Sequence, residues 1–265
     1  MELIREKRNE MEVSDLNDVI SDLFRGYREK QLNLAGDISA IKKTDGSDVT
    51  ALDVEIEKAL QDRLSLVFPG LTVIGEETGY GEEALNEFGL IDPIDGTTSF
   101  INGVPTWTNM FAYIRNKDVL YSAIYNPKHD NMFHAIKNGG SYKNDKRLDL
   151  STVQPSNVIY CKEALIEPLR AILGTRFDYQ VPPSGGGHGL TMVAEGIVAA
   201  RFQLWASGVA HDYAPGGLIV SEAGGCNIPI KDKKYTYGCN SFVACHPSLS
   251  ELMEQNIERI KLLER

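Results

Sequence analysis

Cysteine is scarce, and none of Cys161, Cys226, Cys239 and Cys245 stands in a Cys-x-x-Cys pair. That excludes the usual zinc and redox motifs and leaves reduced residues in or near the core as the expectation. His129, His134, His188, His211 and His246 show no zinc-ligand spacing either. Positive charge is also short: 27 Lys and Arg stand against 37 Asp and Glu, a formal net charge of -10. That balance, with no basic aromatic-rich stretch, argues against nucleic acid as a partner. No apolar run is long enough to span a membrane, so no membrane partner is expected. The segment Met1–Asn9 is charged and holds no apolar leader, which makes a cytoplasmic location the expectation. No repeat or low-complexity linker divides the 265 residues. A single unit over 1–265 is expected, with halves at about 1–150 and 151–265.

What is present is an alternation of helical and strand patterns. Val13 to about Tyr27 and Asp53 to about Val67 read as amphipathic helices, with strands at Leu71–Gly75 and Gly89–Asp92. Thr106–Arg115, Val119–Tyr125 and Met132–Lys137 are apolar and aromatic with turn signals between them. They read as antiparallel strands of one large sheet, and Gly139-Gly140 and Asn144-Asp145 mark a further hairpin. In the second half, helices are expected near Lys162–Leu173, Gly189–Glu195, Asp212–Glu222 and Ser248–Leu263. Strands are expected near Asn157–Cys161, Ala199–Gln203 and Phe242–Cys245.

The chemically richest stretch runs from Gly89 to Phe100. An apolar run ends in Asp92-Pro93-Ile94-Asp95, followed at once by Gly96-Thr97-Thr98 and a helix start. Pro93 fixes its own φ and holds Asp92 extended, so both acids lie on a stiff turn at a strand end. Carboxylate oxygens hold hard cations such as Mg2+. Amides at a helix N-terminus hold phosphate oxygens, and Gly96 permits close backbone approach. Thr97 or Thr98 is a good N-cap. Taken alone, Asp-Gly-Thr is better read as an Asp-rich turn capping a helix.

The full string resembles the first signature of the inositol monophosphatase family of metal-dependent phosphomonoesterases. Three more segments match in order: Lys43 to Asp53 with its Asp48-Val49-Thr50 step, Gly75-Glu76-Glu77-Thr78, and His211 to Gly225 with Asp212 at its head. The resemblance implies an α/β (α+β) fold, the layered αβαβα sandwich shared with fructose-bisphosphatases, with the site between the halves. It implies Mg2+, two or three ions, as cofactor. Glu76, Asp92 and the carbonyl of Ile94 are implied to hold one ion, and Asp92, Asp95 and Asp212 a second. Thr97 and Glu76 are implied to orient the attacking water. Asp53, acting through a water on the metal, and Lys43 are implied at the rim, and the amides of Gly96 and Thr97 at the phosphate. Thr98 is grouped with them. Relatives are often dimeric, so a homodimer is possible, although no stripe in the sequence marks an interface.

Simpler readings exist for single residues. Glu76 and Glu77 fit a solvated pair after a strand, and Asp53 fits a helix N-terminus. Asp212 fits an N-cap, with Pro215 tolerated in the first turn and Gly224 and Gly225 ending the helix. The agreement of independent segments favours the metal site.

The substrate is expected to be a small phosphorylated metabolite resembling inositol 1-phosphate. In inositol-specific members a Glu stands seven residues before the second-signature Asp; here Trp205 does, and either stacks on a flat substrate or fills the core. His211 replaces the usual Trp before Asp212. Gly103 to Trp107 and Val193 to Gly196 resemble histidinol-phosphate phosphatases of the same superfamily, a second reading. A third is a catalytically silent relative that binds metal or a metabolite. Ser184 to His188, with Gly186 at its centre, is expected on the substrate side. No extra basic cluster accompanies the motifs, so a monophosphate is preferred over a bisphosphate.

Overall fold

A computed structural model describes residues 13–43, 46–77, 85–183, 185–204 and 208–264. The first half runs α1 (Val13–Gly26), α2 (Arg28–Leu34), β1 (Ala40–Lys42), β2 (Asp48–Thr50), α3 (Ala51–Val67), β3 (Thr72–Gly75) and β4 (Glu87–Asp95). It continues through α4 (Thr97–Ile101), β5 (Thr108–Arg115), β6 (Asp118–Asn126), β7 (Asn131–Ile136), β8 (Gly140–Lys143) and β9 (Lys146–Leu148). β3 to β9 form one seven-stranded sheet in chain order, antiparallel except for the β3–β4 pair. Asn116-Lys117 and Asn144-Asp145 turn the β5–β6 and β8–β9 hairpins with positive φ, the backbone that two-residue hairpin loops require.

One face of this sheet is covered by α1 and α3. Leu16, Ile20 and Phe24 recur every fourth residue on α1, as do Leu52, Ile56, Leu60 and Leu64 on α3, and each is buried. They meet Phe111, Tyr113, Tyr121, Ala123 and Tyr125, alternate residues of β5 and β6. The intervening residues Met110 and Ile124 face the other way, into the middle of the molecule.

The second half supplies β10 (Val158–Tyr160), α5 (Ile166–Leu173), β11 (Asp178–Gln180), α6 (Gly186–Ala194), β12 (Ala200–Gln203), α7 (Ala210–Glu222), β13 (Cys226–Pro229), β14 (Phe242–Cys245), α8 (Ser250–Gln255) and α9 (Ile257–Lys261). Its five strands are ordered β11-β10-β12-β14-β13. Leu190, Val193, Ile219 and Val220 of α6 and α7 pack between the sheets, against Met110 and Ile124 on one side and Phe242 and Ala244 on the other. Phe202, Val243 and Cys245 point to the far face, where Leu169, Met253 and Ile260 cover them. Helix, sheet, helix, sheet, helix is the expected αβαβα layering.

Four expectations need correction. β4 does not end at Asp92 but continues to Asp95 with a register shift between the two acids. Thr97 and Thr98 do not cap α4: Gly96 holds that position at φ 82, and the Thr97 hydroxyl donates to the Ile94 carbonyl at 3.0 Å. The helix expected over Ser248–Leu263 breaks at Asn256, whose side chain donates back to the Leu252 carbonyl and competes with the helix ladder. Asp212 is not the N-cap of α7 but its third residue, and Pro215 lies inside the helix, with no N–H to give the preceding turn.

Candidate active site

The site grows from the register shift in β4. Side chains three apart on a regular strand point to opposite faces. Here Asp92 pairs with Met110 and Asp95 with Thr108, so three steps on β4 match two on β5. The extra residue is a β-bulge, and it turns both carboxylates to the same side. Asp212, at the start of α7, completes a group whose ligand oxygens all lie within 4.8 Å of one another.

Each carboxylate is aimed by backbone. Asp95 accepts from the amides of Gly186 at 2.8 Å and Gly187 at 2.9 Å, at the head of α6, and from the Thr108 hydroxyl at 3.0 Å. Asp212 accepts from the Val209 amide at 2.6 Å. Asp92 leaves Oδ1 buried with no hydrogen-bond partner. Such an orphaned anionic atom is costly unless a cation meets it.

Glu76 follows the last residue of β3, and its amide donates to the Ile91 carbonyl at 3.2 Å, which places it beside Asp92. Lys43 reaches Glu76 at 2.6 Å and Glu77 at 2.7 Å. Beneath them the buried Glu57 carboxylate accepts from the Glu77 amide at 3.0 Å. Asp53 serves two ends. Its Oδ2 accepts from the Thr50 amide at 2.9 Å and hydroxyl at 2.5 Å, closing a capping box at the start of α3. Its Oδ1 is buried without a partner. The capping reading is therefore right for one oxygen, and the other stays available.

Glu76, Asp95 and Asp212 line a cleft of about 390 Å³ together with Gly96, Thr97, Thr98, Gly186, Arg201 and Tyr213. Gly186 lines it, but its N–H is committed to Asp95. Trp205 and Ser184, both expected on the substrate side, lie outside the described residues. Trp107 does not reach the cleft: it is buried and packs edge-on against Phe100 at 5.4 Å. Glu195 is tied to Lys143 at 2.5 Å. Neither of these residues, one from each segment resembling histidinol-phosphate phosphatases, lines the cleft.

The electrostatics are those of crowded anions. Burial, then repulsion from Glu76, Asp95 and Asp212, lifts Asp92 well above the ordinary carboxylate range. Burial and Asp212 push Asp95 up to about 6 against its three hydrogen bonds. Burial raises Asp212 to about 6 and Asp53 to about 7. Burial weakens the Lys43 charge, but its bonds to Glu76 and Glu77 outweigh that and hold its proton more tightly than usual. Clustered, buried, all-oxygen donors with two orphaned carboxylate atoms fit a hard divalent cation.

Arg201 is the residue that sequence reading passed over. It lines the cleft although only 7% exposed, and its Nη1 has no hydrogen-bond partner. A lone charge in the apolar run Val198 to Leu204 was the available signal. The four cysteines are free, with Cys161, Cys239 and Cys245 buried. Among the described residues no helix is long and apolar enough to cross a membrane.

Comparison with known proteins agrees with this geometry. The model of the inositol monophosphatase family matches residues 11–262. Inositol monophosphatase 1 of Sus scrofa is 28% identical over 239 residues, covering 84% of this chain and 86% of that protein. The 3'(2'),5'-bisphosphate nucleotidase CysQ of Aggregatibacter actinomycetemcomitans is 24% identical over 234 residues, 84% of this chain and 87% of that one. The structure of the Thermotoga maritima IMPase TM1415 superposes with a TM-score of 0.81 at 21% identity, over 94% of this chain and 99% of that one, a likeness of fold. The family match spans nearly the whole sequence, and the fold and acidic cluster accord with it: this chain belongs to the inositol monophosphatase family of phosphoric monoester hydrolases.

Proposed function

We propose that this chain is a Mg2+-dependent phosphatase of small phosphate monoesters, with inositol 1-phosphate as the model substrate. The observation that carries the reading is the convergence of Asp92, Asp95 and Asp212 within 4.8 Å, with Asp92 Oδ1 buried and unpartnered. Glu76, Asp92, the Ile94 carbonyl, Asp95 and Asp212 are the proposed ligands of two or three ions. Bound cations there supply positive charge to the phosphoryl oxygens and acidify a neighbouring water.

The chain's own groups do the rest. The Thr97 hydroxyl donates to the Ile94 carbonyl, which leaves its oxygen free to accept from the attacking water. Glu76, held by Lys43, accepts from the other O–H of that water. Asp53, at the start of α3, is proposed to act through a water, with its buried Oδ1 the unpartnered atom. The amides of Gly96 and Thr97, with the Thr98 side chain, meet the phosphate oxygens at the opening turn of α4. Little covalent work falls to the protein, and positioning supplies most of the rate.

A silent metal-binding relative is the second reading. It is disfavoured because such a protein has no need of the Thr97–Ile94 arrangement. The deciding experiment is phosphate release with and without Mg2+ from inositol 1-phosphate, histidinol phosphate, fructose 1,6-bisphosphate, adenosine 3',5'-bisphosphate and glycerol 2-phosphate. Mg2+-dependent release from one ester supports the phosphatase and names its substrate. No release from any ester favours the silent relative.

A further inference from the structure

Three cations border the acidic group, and two are already neutralised. Lys42 pairs with Asp48 at 2.8 Å, and Lys43 is shared by Glu76 and Glu77. Arg201 forms no ion pair within 4.0 Å among the described residues. It is nevertheless more than nine-tenths buried, with Nη1 unpartnered. Asp95 and Asp212 act on it through space without pairing with it, which leaves the buried Nη1 donor unmatched, and its place in a cleft wall points to an anion that arrives with the ligand.

Strand geometry sets its direction. In β12, Phe202 faces the outer core, while Arg201 and Gln203 pair with Ala244 and Phe242, whose side chains belong to the layer between the sheets. Arg201 Nη2 donates to Gln203 Oε1 at 3.3 Å, and Gln203 Nε2 donates to the Tyr213 hydroxyl at 2.9 Å. Arg201 and Tyr213 both line the cleft with Asp95 and Asp212. The guanidinium packs against α6 at Gly189, where a Cβ would overlap Nη1. The nearby His188 is held neutral at ordinary pH, its pKa lowered to about 4 by burial first and then by Arg201, so it adds no competing charge. A planar fork with an unused donor is the residue type that grips carboxylate or phosphate oxygens.

We propose that Arg201, held in place by Gln203 and Gly189, binds a second anionic group on the substrate, so that the favoured esters bear a carboxylate or a second phosphate beside the one removed. This rests on the phosphatase reading above, and it revises the preference for a monophosphate drawn from sequence.

The test uses matched pairs in Mg2+: 2-phosphoglycerate against glycerol 2-phosphate for a carboxylate, and fructose 1,6-bisphosphate against fructose 1-phosphate for a phosphate. A charge-assisted contact predicts about tenfold to 100-fold higher kcat/KM for the doubly anionic member of one pair. Which pair responds identifies the group. Arg201→Gln should remove that advantage mainly through KM, and Gly189→Ala, which keeps the charge but displaces the fork, should do the same. Equal kcat/KM within both pairs overturns the proposal, as does a proportional loss on both members in folded variants. If no ester is cleaved, the phosphatase reading fails, and binding then decides the subsite. Thermal stabilisation by fructose 1,6-bisphosphate or by 2-phosphoglycerate that Arg201→Gln abolishes keeps the subsite; equal or absent stabilisation by both overturns it.

Discussion

The amide of Gly186 donates to Asp95 at 2.8 Å across 91 positions of chain. A residue of the second half thus fixes the orientation of a carboxylate in the first. The approach needs glycine, since a Cβ at Gly186 would overlap the backbone carbonyl of Asp212, which has no flexible side chain to yield. Gly186→Ala is expected to cost about 1–3 kcal/mol by overpacking. It should also weaken Mg2+ binding, because Asp95 and Asp212 are displaced together. Urea melts with and without Mg2+ measure both effects, and wild-type values in each would refute the packing argument.

Asp95→Asn keeps the shape of the side chain and one oxygen for its donors but removes the charge. Activity should fall by about 100-fold or more, the scale of several kcal/mol of lost charge stabilisation. The metal-free protein should remain folded, and at pH 8 should melt no lower than wild type, because one buried charge has left a repelling group. Mg2+ should no longer raise its melting temperature. Retention of Mg2+-dependent phosphate release would remove Asp95 from the ligand set.

The pH dependence has a definite sign. Asp95 and Asp212 are raised from 3.8 to about 6, and Asp53 to about 7. Between those limits the metal-free folded state binds more protons than the unfolded chain, so their contribution to stability is present below pH 4 and is lost as pH rises through 6 to 7. Mg2+ competes with the same protons. The increase in melting temperature on adding Mg2+ should therefore be large at pH 8 and nearly vanish at pH 5. A shift independent of pH would mean that the cation binds elsewhere.

Thr50→Ala should cost about 1 kcal/mol, the usual worth of an N-cap. It also removes one of the two donors to Asp53 Oδ2, leaving only the Thr50 amide, and so loosens that side chain. Activity should fall in consequence, while Thr50→Ser, which keeps the hydroxyl, should restore both. If Thr50→Ala loses stability with unchanged kcat, Asp53 is a cap and nothing more.

Much of this was legible beforehand. The four motif segments named Glu76, Asp92, Asp95 and Asp212, and the apolar alternation of β5 and β6 announced the large sheet. Short elements escaped: α2, β1, β11 and β13 run 3 to 7 residues, too short for a period to emerge. The bulge escaped because Pro93 read as a strand end, whereas β5 keeps pairing beyond it. Arg201 escaped for another reason. A single charge in a strand is ordinary when it faces solvent, and only tertiary packing reveals that this one is enclosed.

A strand counts in twos, and the bulge between Asp92 and Asp95 breaks that count by one. The length of this segment is therefore a functional quantity, separate from its composition. Adding one residue to β5 beside Asn109 would restore an even ladder with the acids still three apart and turn one of them to the opposite face, though both would remain in the sequence. Parity, as much as chemistry, decides whether two aspartates in this strand can share an ion.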